Sequence, residues 1–234
     1  MIRRDYILRQ IEQFVAMLAK IAGLAKAEQW QEASAVTAGE FQRLTGMDAR
    51  EVVRMSEAEL LARLIQGEPT LLVESKAFML ATLLKANGDL IAGEGRSEES
   101  RQYYLKGLHL LLDTFGRNEI SERPDFVPAV EAFLAGLRDA PLPVKTNAML
   151  MRHYERTGEY AKAENALFGM VDAEPDSIEL LVFGRLFYQR LLGLDDAALT
   201  PGNLPRAEVK AGLAELDARQ ARFCRTAGDA PIGS

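Results

Sequence analysis

Residues 144–177 read VKTNAMLMRHYERTGEYAKAENALFGMVDAEPDS, and their pattern decides the fold. Leu150 and Tyr154 stand four apart before a glycine, Gly158. Ala163 and Leu167 stand four apart after it. That spacing puts each pair on one face of a helix. The stretch therefore predicts helices over 144–157 and 160–173, joined by a tight turn at Gly158. Ala163 is small enough to sit where the two helices cross closely, and Leu150, Tyr154 and Leu167 fill the space between them. Pro175 stops the second helix.

Helical period continues on both sides, and no segment alternates as a strand would. Ile7, Ile11, Phe14, Leu18, Ile21 and Ala25 line one face of a long helix over about 3–27. Residues 29–44 read as its antiparallel partner, with Gly46 as a stop. Ser56 and Glu59 have capping-box spacing ahead of Leu60, Leu61, Leu64 and Ile65. Gly67 and Pro69 then punctuate, and a helix over 70–92 ends in the turn at 92–96. Ser97 is expected to cap a helix reaching about 115. The polar stretch 116–125, with Pro124, is the best boundary signal. Residues 126–137 read as a helix ending near Pro141 and Pro143. Residues 177–192 are apolar on more than one side, which predicts a buried helix. Residues 193–205 read as a loop, and 206–225 as an amphipathic helix carrying Val209, Leu213, Leu216 and Phe223. The expectation is an all-α chain of about 9–11 helices. It forms a single domain over 1–234, or two subdomains, 1–115 and 126–225.

The 144–177 segment resembles a tetratricopeptide repeat, a helix-turn-helix unit of about 34 residues. Leu150, Tyr154, Gly158, Tyr160, Ala163, Leu167 and Pro175 carry that resemblance. Residues 81–114 are a degenerate copy, placing Gly88, Ile91, Gly95, Ser100, Tyr104 and Gly107 at corresponding spacings. Asn87 and Leu112 depart from the pattern there. Trp30 and Ala33 echo Tyr160 and Ala163. The resemblance implies antiparallel helix pairs stacked in a right-handed superhelix. RRDYILRQIEQF, YYLKGLHLLL and GEYAKAENALF also resemble a bacterial family of uncharacterised proteins, which implies no activity.

The totals exclude several classes. A net charge of -6 and a pI near 5.2 argue against a broad nucleic-acid interface. The single cysteine, Cys224, cannot form an internal disulfide, so nothing points to an oxidising compartment. Asp5, Arg9, Glu12 and Lys20 interrupt any signal-peptide core. No uncharged apolar run is long enough to span a membrane. The cytoplasm is the expected location.

Chemistry-bearing constellations are sparse. The two histidines, His109 and His153, share no metal-ligand spacing, and no cofactor or metal site is expected. His109 sits in an apolar helix and reads as a packed or hydrogen-bonded side chain; His153 reads as a surface residue. The GEG at 93–95 follows a helix and lacks the lysine of a phosphate loop, so it reads as a helix-helix turn. The acidic pairs Glu57/Glu59, Glu98/Glu99 and Asp195/Asp196 suit helix starts. Tyr103, Tyr104, Phe183, Phe187 and Tyr188 read as core. Arg3, Arg4 and Arg9, with Arg206, Lys210, Arg219, Arg222 and Arg225, read as solvated faces.

Elimination leaves a non-enzymatic protein-interaction or scaffold module. The partner is a protein or peptide, with no nucleic acid and no membrane span. The repeat resemblance implies a groove lined by first helices. That puts Thr82, Lys85 and Asp89, and Lys145, Ala148, Arg152 and Glu155, in position to touch a partner. A carboxylate clamp is not read, because the Asp89 charge opposes a bound carboxylate. The first alternative is a self-associating homodimer through the N-terminal helix, whose apolar seam is flanked by Leu8 and Val15. The second is an enzyme without a recognised motif.

Overall fold

The computed structural model describes residues 2–65, 70–117 and 123–228. All regular structure among them is helical: α1 (Ile2–Lys26), α2 (Trp30–Thr45), α3 (Ala49–Arg54), α4 (Glu57–Ile65), α5 (Thr70–Gly93), α6 (Ser97–Arg117), α7 (Val130–Ala135), α8 (Val144–Thr157), α9 (Tyr160–Ala173), α10 (Ile178–Leu192), α11 (Asp196–Leu199) and α12 (Arg206–Gly228). No described helix is long and apolar enough to cross a membrane. The chain divides into two compact units, Met1–Pro141 and Leu142–Ser234. The polar stretch 116–125 lies inside the first unit, because α7 packs back onto α6. Gly67, Pro69 and residues 118–122 of that stretch lie outside the described residues, as do the side chains of Arg3, Arg4, Cys224 and Arg225.

In the first unit, the α5–α6 hairpin is the centre. Phe78 to Ala81, Leu83 and Leu84 are at most 2 % exposed, so α5 is buried nearly all round. Gly107 of α6 makes the hairpin tight. A Cβ there would stand 3.0 Å from the Ala81 carbonyl oxygen and 2.8 Å from the Phe133 ring. The α1 and α2 helices pack on each other and on α5; α3 and α4 lie against α6. Buried threonines satisfy themselves: Thr37, Thr45, Thr82 and Thr114 each donate a hydroxyl to the carbonyl four residues earlier, at 2.7–2.9 Å. Arg101 closes the unit by donating to the carbonyls of Leu137, Ala140 and Pro141 at 3.2, 3.4 and 2.6 Å.

Several boundaries differ from expectation. The six-residue α3 is too short to show a periodic stripe. Residues 123–129 are not helical: Val127 is buried, Phe126 sets its ring edge-on to Phe14 at 5.8 Å, and Pro128 disfavours helix in the residue before it. Only Val130–Ala135 is helical there. Ser97 is the first residue of α6 and not its cap; Arg96 holds that position, its carbonyl accepting from the Ser100 amide. The 193–205 loop contains the single turn α11, capped by Asp195.

In the second unit, α8 and α9 form a hairpin with the predicted ends. Gly158 has φ +77, the left-handed conformation that a tight C-cap needs. Ala163 and Leu167 are fully buried; Leu150 and Tyr154 are 2 % and 5 % exposed. The α10 helix packs antiparallel on α12: Gly184 faces Leu216, and Gly212 faces Tyr188. Arg206 ties the intervening loop by donating to the Leu192 carbonyl at 3.0 Å, to the Leu194 carbonyl, and to Asp196 at 2.6 Å.

Candidate functional site

The anticipated groove residues separate into two places. Lys85 and Asp89 belong to α5 in the first unit; Lys145, Arg152 and Glu155 belong to α8 in the second. The Lys85 ammonium is held by Asp89 at 2.8 Å, four residues on. Asp89 also accepts the Tyr104 hydroxyl at 2.9 Å. Burial, and then the Asp89 carboxylate, push the Tyr104 phenol far above its ordinary range, so it stays a donor. Glu155 grips Arg190 of α10 through two bonds, 2.7 and 2.9 Å. Lys145 and Arg152 are exposed, and Ala148 is half-buried. Thr82 is withdrawn from the set: it is 5 % exposed and its hydroxyl serves Phe78. Lys85, Asp89 and Glu155 are therefore engaged within their own units.

A site that the sequence reading missed lies between α3 and the start of α6. Arg50, Val53 and Arg54 form one wall; Glu98, Glu99, Gln102 and Tyr103 form the other. Together they bound an open groove of about 450 Å³. Arg50 and Arg54 are four residues apart and exposed, so both guanidinium groups rise from one face of α3. Tyr103 is 4 % exposed and forms the floor. Its hydroxyl is raised by burial and by Glu99, and is hydrogen-bonded to Asn87. Glu99 is paired with Arg96, which also binds Glu94 at 2.7 Å.

The groove wall is braced from below. Asp48 and Glu51 form a reciprocal capping box on α3, each bond 2.9 Å. Ser56 and Glu59 do the same for α4, at 2.8 and 3.2 Å. The corner between these helices is fastened to α6 by Lys106, which donates to the Met55 carbonyl at 2.6 Å and to Glu57 at 3.0 Å. His109, one turn along α6, brings Nδ1 to 3.4 Å from the same carboxylate. His109 is thus buried and polar-partnered, in keeping with its apolar helix. Among the described residues, no group of His, Cys, Asp and Glu has metal-site geometry.

The second unit carries a smaller groove of about 280 Å³, lined by Pro175, Asp176, Arg219, Arg222 and Phe223. Arg219 is committed there to Asp172 and Glu215, at 2.9 and 2.8 Å. His153 is half-buried beside the Tyr154 ring, not a free surface group. Tyr103, Tyr104, Phe187 and Tyr188 are buried, as expected of core, whereas Phe183 is only half-buried. The 93–95 segment is a helix-helix turn: Gly95 has φ +79 and the Arg96 amide returns to the Ile91 carbonyl at 3.1 Å. The signal for α3 was present in the Asp48–Glu51 spacing, which repeats the Ser56–Glu59 pattern eight residues on.

The chain belongs to DUF6483, a family of unknown function, which it matches over residues 1–221. No curated protein and no solved structure matches it.

Proposed function

We propose that this chain is a non-enzymatic protein-interaction module that holds a peptide or protein segment in the α3–α6 groove. The observation that carries the reading is the Arg50–Arg54 pair, two exposed guanidinium groups facing Glu98 and Glu99 across a braced cleft. Guanidinium groups bind carboxylates bidentately, and Glu98 on the opposite wall offers an acceptor to a cation. A segment carrying both signs fits that alternation. Val53 gives it an apolar contact above the buried Tyr103. The tetratricopeptide-like reading is part of this proposal. It is supported by the α8–α9 hairpin, the left-handed Gly158 and the fully buried Ala163. The compartment that fits is the cytoplasm, in line with one cysteine in 234 residues. The net charge of -6 favours a protein partner over nucleic acid. No observation among the described residues favours the enzyme alternative.

The test is affinity capture from a lysate of the source cells, followed by mass spectrometry, with Arg50→Glu/Arg54→Glu as the comparison. Both side chains are exposed, so the variant should keep its helical circular dichroism. Proteins retained by the wild type and lost from the variant support the groove. Identical captures from both would sink it.

A further inference from the structure

The first helix carries two overlapping apolar stripes; its own unit buries one and only half-covers Ile11, Leu18 and Ala25, where the second adjoins it. Phe14 and Ile21 are 1 % and 3 % exposed, with Ile7 one heptad earlier and half-buried. That stripe packs towards α2, α5 and Phe126. The second stripe is Leu8, Ile11, Val15, Leu18, Ala22 and Ala25. Its spacings alternate three and four without a break, the a/d pattern of a coiled coil. Every member is outside the core. Leu8 is 50 % and Val15 42 % exposed, Ala22 is exposed, and Ile11, Leu18 and Ala25 are half-buried. A helix needing only its own core would show the first stripe and polar residues where Leu8 and Val15 stand.

We propose that this second seam pairs with the same seam of a second copy, antiparallel, about a two-fold axis between Val15 and Leu18. Three features on the helix select that occupant and that direction. The seam is complementary to its own reversal. Antiparallel pairing sets Leu8 against the partner's Ala25, Ile11 against the partner's Ala22, and Val15 against the partner's Leu18. Each outer layer then joins one large and one small side chain, which keeps the helix spacing even. Parallel pairing would crowd Leu8 and Ile11 on their own copies and leave Ala22 and Ala25 across a gap. The rim charges agree. Glu12 and Lys26 flank the seam on one side, near opposite ends. Reversal brings Glu12 closer along the axis to the partner's Lys26 than to the partner's Glu12. The two helix dipoles also oppose each other favourably.

The seam from Leu8 to Ala25 is about 26 Å long at 1.5 Å per residue. A single helix seam of that length falls below the roughly 800 Å² per partner of a standard interface. The dimer is therefore reversible and set by concentration. It is independent of the α3–α6 groove, which lies on other elements.

The test is sedimentation equilibrium of the full chain from about 1 to 100 μM, the range where a small interface titrates. The wild-type mass should rise from 25.9 kDa towards twice that value. Val15→Glu and Leu8→Glu, each with unchanged circular dichroism, should hold at the monomer mass throughout. Direction is read by oxidation in a Cys224→Ala background. Leu8→Cys mixed with Ala25→Cys should cross-link to each other, and neither to itself. A constant 25.9 kDa in the wild type would overturn the proposal. A dimer surviving both glutamates would overturn it too, and Leu8→Cys self-cross-linking would overturn the antiparallel pairing.

Discussion

The same chemical change at two helical glycines should move stability in opposite directions. Gly39 lies within α2, and a Cβ built there meets nothing within 4 Å. Gly39→Ala therefore keeps only the helix-propensity gain, about 1 kcal/mol. Gly107 lies within α6, where the same methyl meets three neighbours. They are the Ala81 carbonyl oxygen at 3.0 Å, Phe133 Cε1 at 2.8 Å and Leu84 Cβ at 3.2 Å. Two of these are backbone or backbone-proximal atoms of α5 and cannot rotate away. The α5–α6 spacing has to open, and core overpacking of this kind costs about 1–3 kcal/mol. Subtracting the propensity gain leaves Gly107→Ala destabilised by about 1 kcal/mol, so the two variants differ by about 2 kcal/mol. For a chain of this length that is a separation of about 4–8 °C in melting temperature. Thermal unfolding followed at 222 nm reads it directly. If both alanines raise the melting temperature, the close approach of α5 and α6 at Gly107 is wrong.

Further expectations follow from individual contacts. Ala163→Leu adds three carbons at a fully buried crossing and should cost about 1–3 kcal/mol by urea titration; an unchanged midpoint would contradict the α8–α9 register. Lys106→Met removes the donor to the Met55 carbonyl and the nearest cation of Glu57, and should lower stability by about 1–3 kcal/mol. Gly158→Val forces a β-branched residue to φ +77 and should cost about 1–2 kcal/mol, entirely from the backbone, because the space around it is open. The Glu164 carboxyl, which accepts the Tyr188 hydroxyl at 2.6 Å, is raised by burial. A carboxyl raised in the folded state binds its proton more tightly there than in the unfolded chain. Its contribution is thus fully present below the unfolded value of about 4.3 and is lost as pH rises through the folded one. Glu164→Gln should gain on the wild type between pH 4 and pH 7 in paired urea titrations, and a gap that stays constant with pH would refute this.

How far the sequence could be read depended on the range of the interactions involved. The α8 and α9 ends were legible because Pro143, Gly158 and Pro175 act within a few residues of themselves. The long α1, α5 and α6 helices were legible from periodicity alone. In contrast, Phe126 reads as the start of a helix until its ring is seen against Phe14, over 100 residues earlier. The candidate site suffered most. Arg50 and Arg54 join a groove only if α3 exists, and six residues show no stripe. Lys106 and His109 are visibly one turn apart, but their shared carboxylate, Glu57, is 49 residues upstream of Lys106. Lys85 and Asp89, expected to face a partner, lie four residues apart on one face of α5. Their mutual ion pair then takes up the charge that a partner would have met.

The Arg101 fork bears on how the chain is made. Its three acceptors are the carbonyls of Leu137, Ala140 and Pro141, up to 40 residues downstream. A ribosome delivers Arg101 well before it delivers them, so the full three-carbonyl fork cannot form until Pro141 has been added. It can close only after Pro141 has emerged, and Pro141 is also the last residue of that unit. Domains generally fold as units during vectorial synthesis. The complete fork thus needs the final residues of the first unit, so a chain cut before Pro141 would lack part of it.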